Sequence, residues 1–376
     1  MRQSRRRFIA GTAAVTTGLV AGCLGTTNAE APGSTETEPV QASFFVLSDF
    51  ASHVAGDALT VENLVPFGQH GHGWEPGPDV QRRVFDATAF VYMGQGFQPW
   101  ADNIVQNVRA DDAGVAVIEA RRGVDLLDAD GDGDAHDHDG GENEDGHEDD
   151  HDEHESKDEH DADTHTEDDH DEHESKDDHD ADTHTEDEHD EHDADTHTGT
   201  DPHFWLDPAR ATVAVENIAQ GLAEVDGANE ETYTQNAAAF GDRLAALDDT
   251  YRERLSDRTR DTVLVAGHNS FQYLGRRYGF QVEALTGLAP DAEPTPRDVR
   301  RAQQVIDDHD IEYILAPVFE SDRAARQLVT ETSAVEALPL TPVPSLTEEW
   351  AEQGWGYVDV MERVNLPSLA KALGTE

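Results

Sequence analysis

Cysteine, lysine and long apolar runs are nearly missing from this chain of 376 residues. With Cys23 as the single cysteine, no internal disulfide can form. Lysine occurs three times, against twenty-three arginines and eighty-one acidic residues, and the net charge is −55. So little positive charge argues against nucleic-acid binding, which needs a basic face. It argues equally against peripheral docking on anionic lipid. An acid-rich, lysine-poor surface on otherwise ordinary apolar segments is the composition of a halophilic protein, in which high salt screens self-repulsion.

The N-terminal apolar run, Phe8 to Val20, is too short to span a bilayer and fits the hydrophobic region of a signal peptide. Ser4-Arg5-Arg6-Arg7-Phe8-Ile9 resembles a twin-arginine export signal, and Val20-Ala21-Gly22-Cys23 a lipobox. Residues 1–23 are therefore expected to be an export signal, with Cys23 acylated as the first residue of the mature chain. Residues 24–40 are small and polar and predict a flexible tether.

What the chain has in excess is histidine among carboxylates. Residues 151–169, HDEHESKDEHDADTHTEDD, return almost unchanged over 170–188, and a truncated third copy starts at His189. No apolar side chain larger than alanine interrupts the repeat, so the sequence predicts a disordered insert over residues 128–199. Its fourteen histidines are His136, His138, His147, His151, His154, His160, His165, His170, His173, His179, His184, His189, His192 and His197. Imidazoles and carboxylates side by side bind divalent metals such as zinc, so these predict several weak auxiliary sites. Tethered close to a tighter site, they would raise the local metal concentration.

On either side of the insert, short apolar runs alternate with helical patterns. Strands are expected over 42–47, 61–66, 89–93 and 115–118, and again over 262–266, 281–285, 312–316 and 335–340. Helices are expected near 48–58, 79–85, 97–108, 208–224, 229–255, 271–278, 296–309, 322–332 and 358–373. The alternation predicts α/β architecture, with two lobes each built on a parallel-rich sheet flanked by helices. The stretch over 229–255 has no proline and is long enough, roughly 38 Å, to join two lobes as one rigid helix. The implied organisation is an N-terminal α/β lobe over residues 41–227 that carries the insert. A linking helix over 228–257 and a C-terminal α/β lobe over 258–376 follow. Ligands of such sheets sit beyond the carboxyl ends of the strands.

Six histidines lie outside the insert. His53 and His309 fall in helical stretches and read as surface residues. His70, His72, His203 and His268 fall at or near strand ends or in loops rich in Gly and Pro. The segments around the last three carry a resemblance. His72-Gly73-Trp74-Glu75-Pro76-Gly77-Pro78-Asp79 resembles the H-x-[YFW]-E-P-x-P motif of the zinc/manganese solute-binding lipoproteins of ABC importers, one residue short before the aspartate. Asp201-Pro202-His203-Phe204-Trp205-Leu206-Asp207-Pro208 is similar to the family's D-P-H-x-W-L-D-P. Gly267-His268-Asn269-Ser270-Phe271-Gln272-Tyr273, followed by Tyr278-Gly279, resembles its H-x-A-F-x-Y…Y-G-L.

The resemblance covers about residues 42–374. It implies two α/β lobes joined by one long helix, with the metal in the inter-lobe cleft, and many zinc-binding members carry a His-rich insert at this place. It also implies His72, His203 and His268 as metal ligands. The family's carboxylate position is altered, because Pro317 follows Ile314-Leu315-Ala316 directly and Thr341 stands where an aspartate is usual. Water, His70 or Glu320 is left to complete the sphere, and loss of a hard carboxylate favours zinc over manganese.

The expected function is extracytoplasmic capture of Zn²⁺, bound as transported solute, and delivery to an ABC permease and its ATPase without catalysis. The chain is expected to be monomeric and held at the outer face of the membrane by Cys23. Three rivals stand beside this reading: a manganese importer component, a secreted zinc hydrolase using three histidines and a water, and a metal buffer or adhesin in which the insert is the working part. Against the hydrolase, the segments outside the insert carry no H-E-x-x-H, the one match (His147-Glu148-Asp149-Asp150-His151) lies within the acidic insert, and no general base is obvious.

Overall fold

A computed structural model describes residues 38–69, 74–129, 199–289 and 292–375. The expected export signal, most of the tether, His70, His72 and all fourteen histidines of the insert lie outside the described residues.

The first sheet comes from β1 (Val40–Ala42), β2 (Val61–Asn63), β3 (Ala89–Tyr92) and β4 (Ala116–Glu119), with α1 (Phe45–Ala55), α2 (Pro78–Phe85) and α3 (Pro99–Ala110) as crossovers. All its pairings are parallel, and the order is β2-β1-β3-β4. Two helices then precede the second sheet, α4 (Pro208–Val225) and α5 (Glu230–Arg254). The second sheet takes β5 (Thr262–Val265), β6 (Gln281–Ala284), β7 (Tyr313–Pro317) and β8 (Glu336–Leu340), crossed by α6 (Gln272–Tyr278), α7 (Pro296–Asp308) and α8 (Arg323–Glu331). It too is fully parallel, in the order β6-β5-β7-β8. The chain ends in α9 (Glu348–Glu352), α10 (Tyr357–Val360) and α11 (Leu366–Leu373).

Both sheets thus repeat one winding. The first crossover goes to one side and the second passes back over the starting strand. The carboxyl ends of β1 and β3, and of β5 and β7, therefore flank a crevice in each lobe, the usual ligand position in such sheets.

The helix α5 earns its length from its spacing. Tyr233, Ala237, Phe240, Leu244, Leu247 and Tyr251 are buried at alternating steps of four and three, which keeps one stripe on one face. Near its middle Phe240 meets Phe50 of α1 at 5.6 Å. Near its end Tyr251 stacks on Tyr278 at 5.0 Å and its hydroxyl donates to the Met361 carbonyl at 2.8 Å. One helix therefore packs against both lobes. The closing helical run widens to a π turn over Met361–Asn365, because Pro367 has no N–H to return to the preceding turn.

The expected strand over 42–47 is corrected. The strand ends at Ala42 and α1 begins at Phe45. The apolar run is buried throughout, and a short all-buried run carries no periodicity that separates strand from helix. The sequence reading also missed α9, whose five residues bury none of their side chains.

Candidate metal centre

His203 follows the insert and begins a short 3-10 turn over Phe204–Leu206. The turn is seated by Trp205, which is buried, packs on Phe44 at 5.4 Å and Phe97 at 5.8 Å, and donates from Nε1 to the Pro342 carbonyl at 2.7 Å. Asp207 then caps α4, accepting from the Ala209 N–H at 2.9 Å, with Pro208 at the first helical position. A ring anchored in the core and a capped helix leave the His203 loop little freedom.

Asp201 holds His203 twice. Its Oδ1 accepts from the backbone N–H of His203 at 2.9 Å and lies 2.7 Å from Nδ1 of the ring. A carboxylate only accepts, so Nδ1 carries the hydrogen and Nε2 keeps its lone pair. Burial holds the imidazole below its ordinary value, against the opposing pull of Asp201. A neutral ring is the form that binds a metal.

His268 lies three residues past β5, at the crevice of the second sheet, and is fully buried. Glu320, three residues past β7, grips it in the same way. Its Oε1 is 2.6 Å from Nδ1 and its Oε2 accepts from the His268 backbone N–H at 3.3 Å. The approach depends on Gly267, where an added Cβ would come within 2.6 Å of Glu320 Oε2 and 2.3 Å of Pro317 Cγ.

The two rings are 5.4 Å apart between centroids and inclined at 49°. With zinc–nitrogen bonds of about 2.1 Å and about 1.1 Å more to each ring centre, two imidazoles on one tetrahedral zinc hold their centroids roughly 5 Å apart. The observed spacing fits that demand.

The loop holding His70 and His72 lies outside the described residues, but both of its ends are in place. On one side Gly68 N–H reaches Ser345 Oγ at 2.8 Å and the Leu346 carbonyl at 3.1 Å. On the other, Trp74 meets Trp100 edge-on at 5.1 Å. Thr341, standing where an aspartate is usual, is buried, and its hydroxyl accepts from Val343 N–H at 2.9 Å. His53 stacks on Phe240 at 4.2 Å in the α1–α5 interface, and His309 ends α7, so neither joins the centre. Among the described residues no group of three or more His, Cys, Asp or Glu forms a complete metal site.

Two roles were not read from the sequence. Asp201 had a local signal, since an aspartate two residues before a backbone N–H readily accepts from it. The sequence offers Glu320 only as a possible metal ligand, and its grip on His268 has no local signal, because fifty-two positions separate the two.

The family model described as zinc-uptake complex component A, periplasmic (ZnuA), matches residues 40–372. The zinc-binding lipoprotein AdcA of Streptococcus pneumoniae is 30% identical over 334 residues, covering 89% of this chain and 55% of that protein. The chain thus spans about half the length of that relative. The high-affinity zinc uptake system protein ZnuA of Bacillus subtilis is 26% identical over 359 residues, 94% of each chain. The crystal structure of the Zn(II)-bound ZnuA-like domain of pneumococcal AdcA aligns with a TM-score of 0.63 at 26% identity, over 90% of this chain and 99% of that one. Two parallel-sheet lobes, two carboxylate-held histidines and a family match that runs from β1 into α11 lead to one assignment: the chain belongs to the zinc-uptake complex component A (ZnuA) family.

Proposed function

We propose that the chain captures Zn²⁺ outside the cytoplasm and delivers it to an ABC permease driven by its ATPase. His72, His203 and His268 are the ligands in this reading, and water takes the fourth position. The observation that carries it is the pair of histidines 5.4 Å apart, each with Nδ1 turned to a carboxylate. Glu320 stands behind His268 and serves the ring rather than the metal. The names of the relatives point to the same metal. Capture and delivery need no general base, and membership of an uptake family sets the hydrolase reading aside.

The finer parts of the proposal rest on sequence. Export goes by the twin-arginine route, Cys23 carries a lipid anchor, and the chain works as a monomer on a salt-adapted acidic surface. The insert adds weak zinc sites close to the cleft.

Zinc titration of the full chain against a competing chelator tests the assignment. One tight site is expected, and its affinity is expected to fall at least a hundredfold in a His72→Ala, His203→Ala, His268→Ala variant. Unchanged tight binding in that variant would overturn the ligand set.

A further inference from the structure

The two chain ends that frame the insert are closed by a short antiparallel ladder with one bond rerouted. Asp128 bridges Thr200, Ala129 N–H donates to the Gly199 carbonyl at 2.9 Å, and Asp201 N–H donates to the Leu127 carbonyl at 2.7 Å. In a regular pair of this kind Leu127 N–H would return a bond to the Asp201 carbonyl. Here Leu127 N–H donates instead to Tyr273 Oη at 2.9 Å, and Tyr273 Oη donates to the Asp201 carbonyl at 2.7 Å. A hydroxyl accepts and donates at once, so the phenol is spliced into the ladder as an extra rung.

Tyr273 comes from the second lobe, on α6, whose first residue lies four positions past His268. It is fully buried. The Arg210 guanidinium of α4 lies over its ring at 5.3 Å and donates from Nε to the Asp125 carbonyl at 2.8 Å. The residue whose carbonyl it holds, Asp201, is the one whose carboxylate holds His203. Both faces of that aspartate are thereby committed, one to each lobe.

We infer that Tyr273 is a positioning residue of the metal centre, which fixes Asp201, and through it His203, to the helix that follows His268. The inference rests on the histidine site proposed above. It has a mechanical consequence. Any separation of the lobes that lets the metal go must break the Tyr273–Asp201 bond or carry the mouth of the insert along. The insert's attachment and the holding of His203 then answer to one hydroxyl.

The test uses the full chain loaded with one equivalent of Co²⁺, whose visible bands report the geometry of a histidine site, and follows release to excess chelator. Tyr273→Phe, which removes the hydroxyl and keeps the ring, is expected to release the ion about tenfold faster and to alter the bands, the lower end of what groups directly behind a ligand cost, because Tyr273 acts one step further back through Asp201. Far-UV circular dichroism checks that each variant is folded. Asp201→Asn approaches the same clamp without touching the phenol and is expected to speed release as well. Because both act on one residue, the double variant should fall short of the product of the single effects. Native-rate release from Tyr273→Phe, or effects that multiply independently, would overturn the inference while the site reading stands. A native chain that holds no cobalt tightly at one equivalent overturns the site reading, and this inference with it.

Discussion

Asp201 grips His203 as Glu320 grips His268: in both pairs one carboxylate takes the ring Nδ1 and the backbone N–H of the same histidine. The two clamps arise differently. One is a local turn, and the other spans the crevice of the second sheet. Both preset the tautomer that a metal needs, so zinc meets rings already oriented.

Replacing either carboxylate by its amide should therefore weaken zinc binding without removing a ligand. Asp201→Asn and Glu320→Gln are each expected to cost about tenfold to a hundredfold in affinity. Competition titrations with a chelator of known zinc affinity read this directly. A Glu320→Gln loss as large as that of His268→Ala would place Glu320 on the metal instead.

Gly267→Ala tests the same clamp from the backbone. The added methyl would meet Glu320 Oε2 and the Pro317 ring at distances no real contact tolerates, so the carboxylate must move off His268. Zinc affinity is expected to fall about as far as in Glu320→Gln, and combining the two should add little.

The insert can be removed without disturbing its root if the cut respects the ladder. Joining Ala129 to Gly199 through a two-residue turn keeps the Asp128–Thr200 bridge and the bonds around it. Isothermal titration should then show total zinc stoichiometry reduced, with the tight site kept within about threefold, well inside one tenfold step of 1.4 kcal/mol. Loss of the tight site would favour the buffer reading.

Asp49 and His53 predict a concealed pH dependence. Asp49 of α1 accepts from Tyr357 N–H at 3.2 Å, its Oδ2 lies 3.8 Å from His53 Nε2, and Arg243 and Asp359 are further charges that act on it. Burial pushes its carboxyl up to about 6 from the usual 3.8. Burial, then the neighbouring Arg243, pushes His53 down to about 4 from 6.5. Folded Asp49 prefers its proton, so its contribution is complete below pH 3.8 and is lost as pH rises to about 6. Folded His53 prefers to be neutral, so its contribution is complete above pH 6.5 and is lost as pH falls to about 4. The two offset each other over one window. Urea unfolding of Asp49→Asn should show stability rising with pH across it, with a slope below the one-proton limit of about 1.4 kcal/mol per unit because His53 is partly exposed. His53→Gln should show the opposite slope, and parallel profiles for the two would refute the assignment.

Asp207 is buried, caps α4, and pairs with Arg210 and, at 3.3 Å, with Arg277. Asp207→Ala is expected to cost about 3 kcal/mol in chemical denaturation, from the lost cap and the charges left behind. The loss should persist at high salt, since a buried pair is poorly screened.

Much of this fold was legible along the chain. Strand and helix alternation announced two parallel sheets, and the proline-free stretch over 229–255 announced one long helix, whose buried side chains fall on one four-three stripe. The D-P-H run at Asp201–His203 was legible by resemblance, although the clamp inside it, which closes within two residues, was not read from it. Where a run is buried on every side, as over 42–47, local pattern no longer separates strand from helix.

What the sequence determined by itself is the set of elements, their order and the histidines worth watching. Only the tertiary structure decided which carboxylate serves which ring. Glu320 reaches His268 because β5 and β7 pair and both end at one crevice. Tyr273 enters the ladder at Leu127 because α6 packs beside the turn that follows His203. Spacing within an element records which side faces inward. It carries no information about what waits there, because partners that far apart in sequence are chosen by the packing of whole elements.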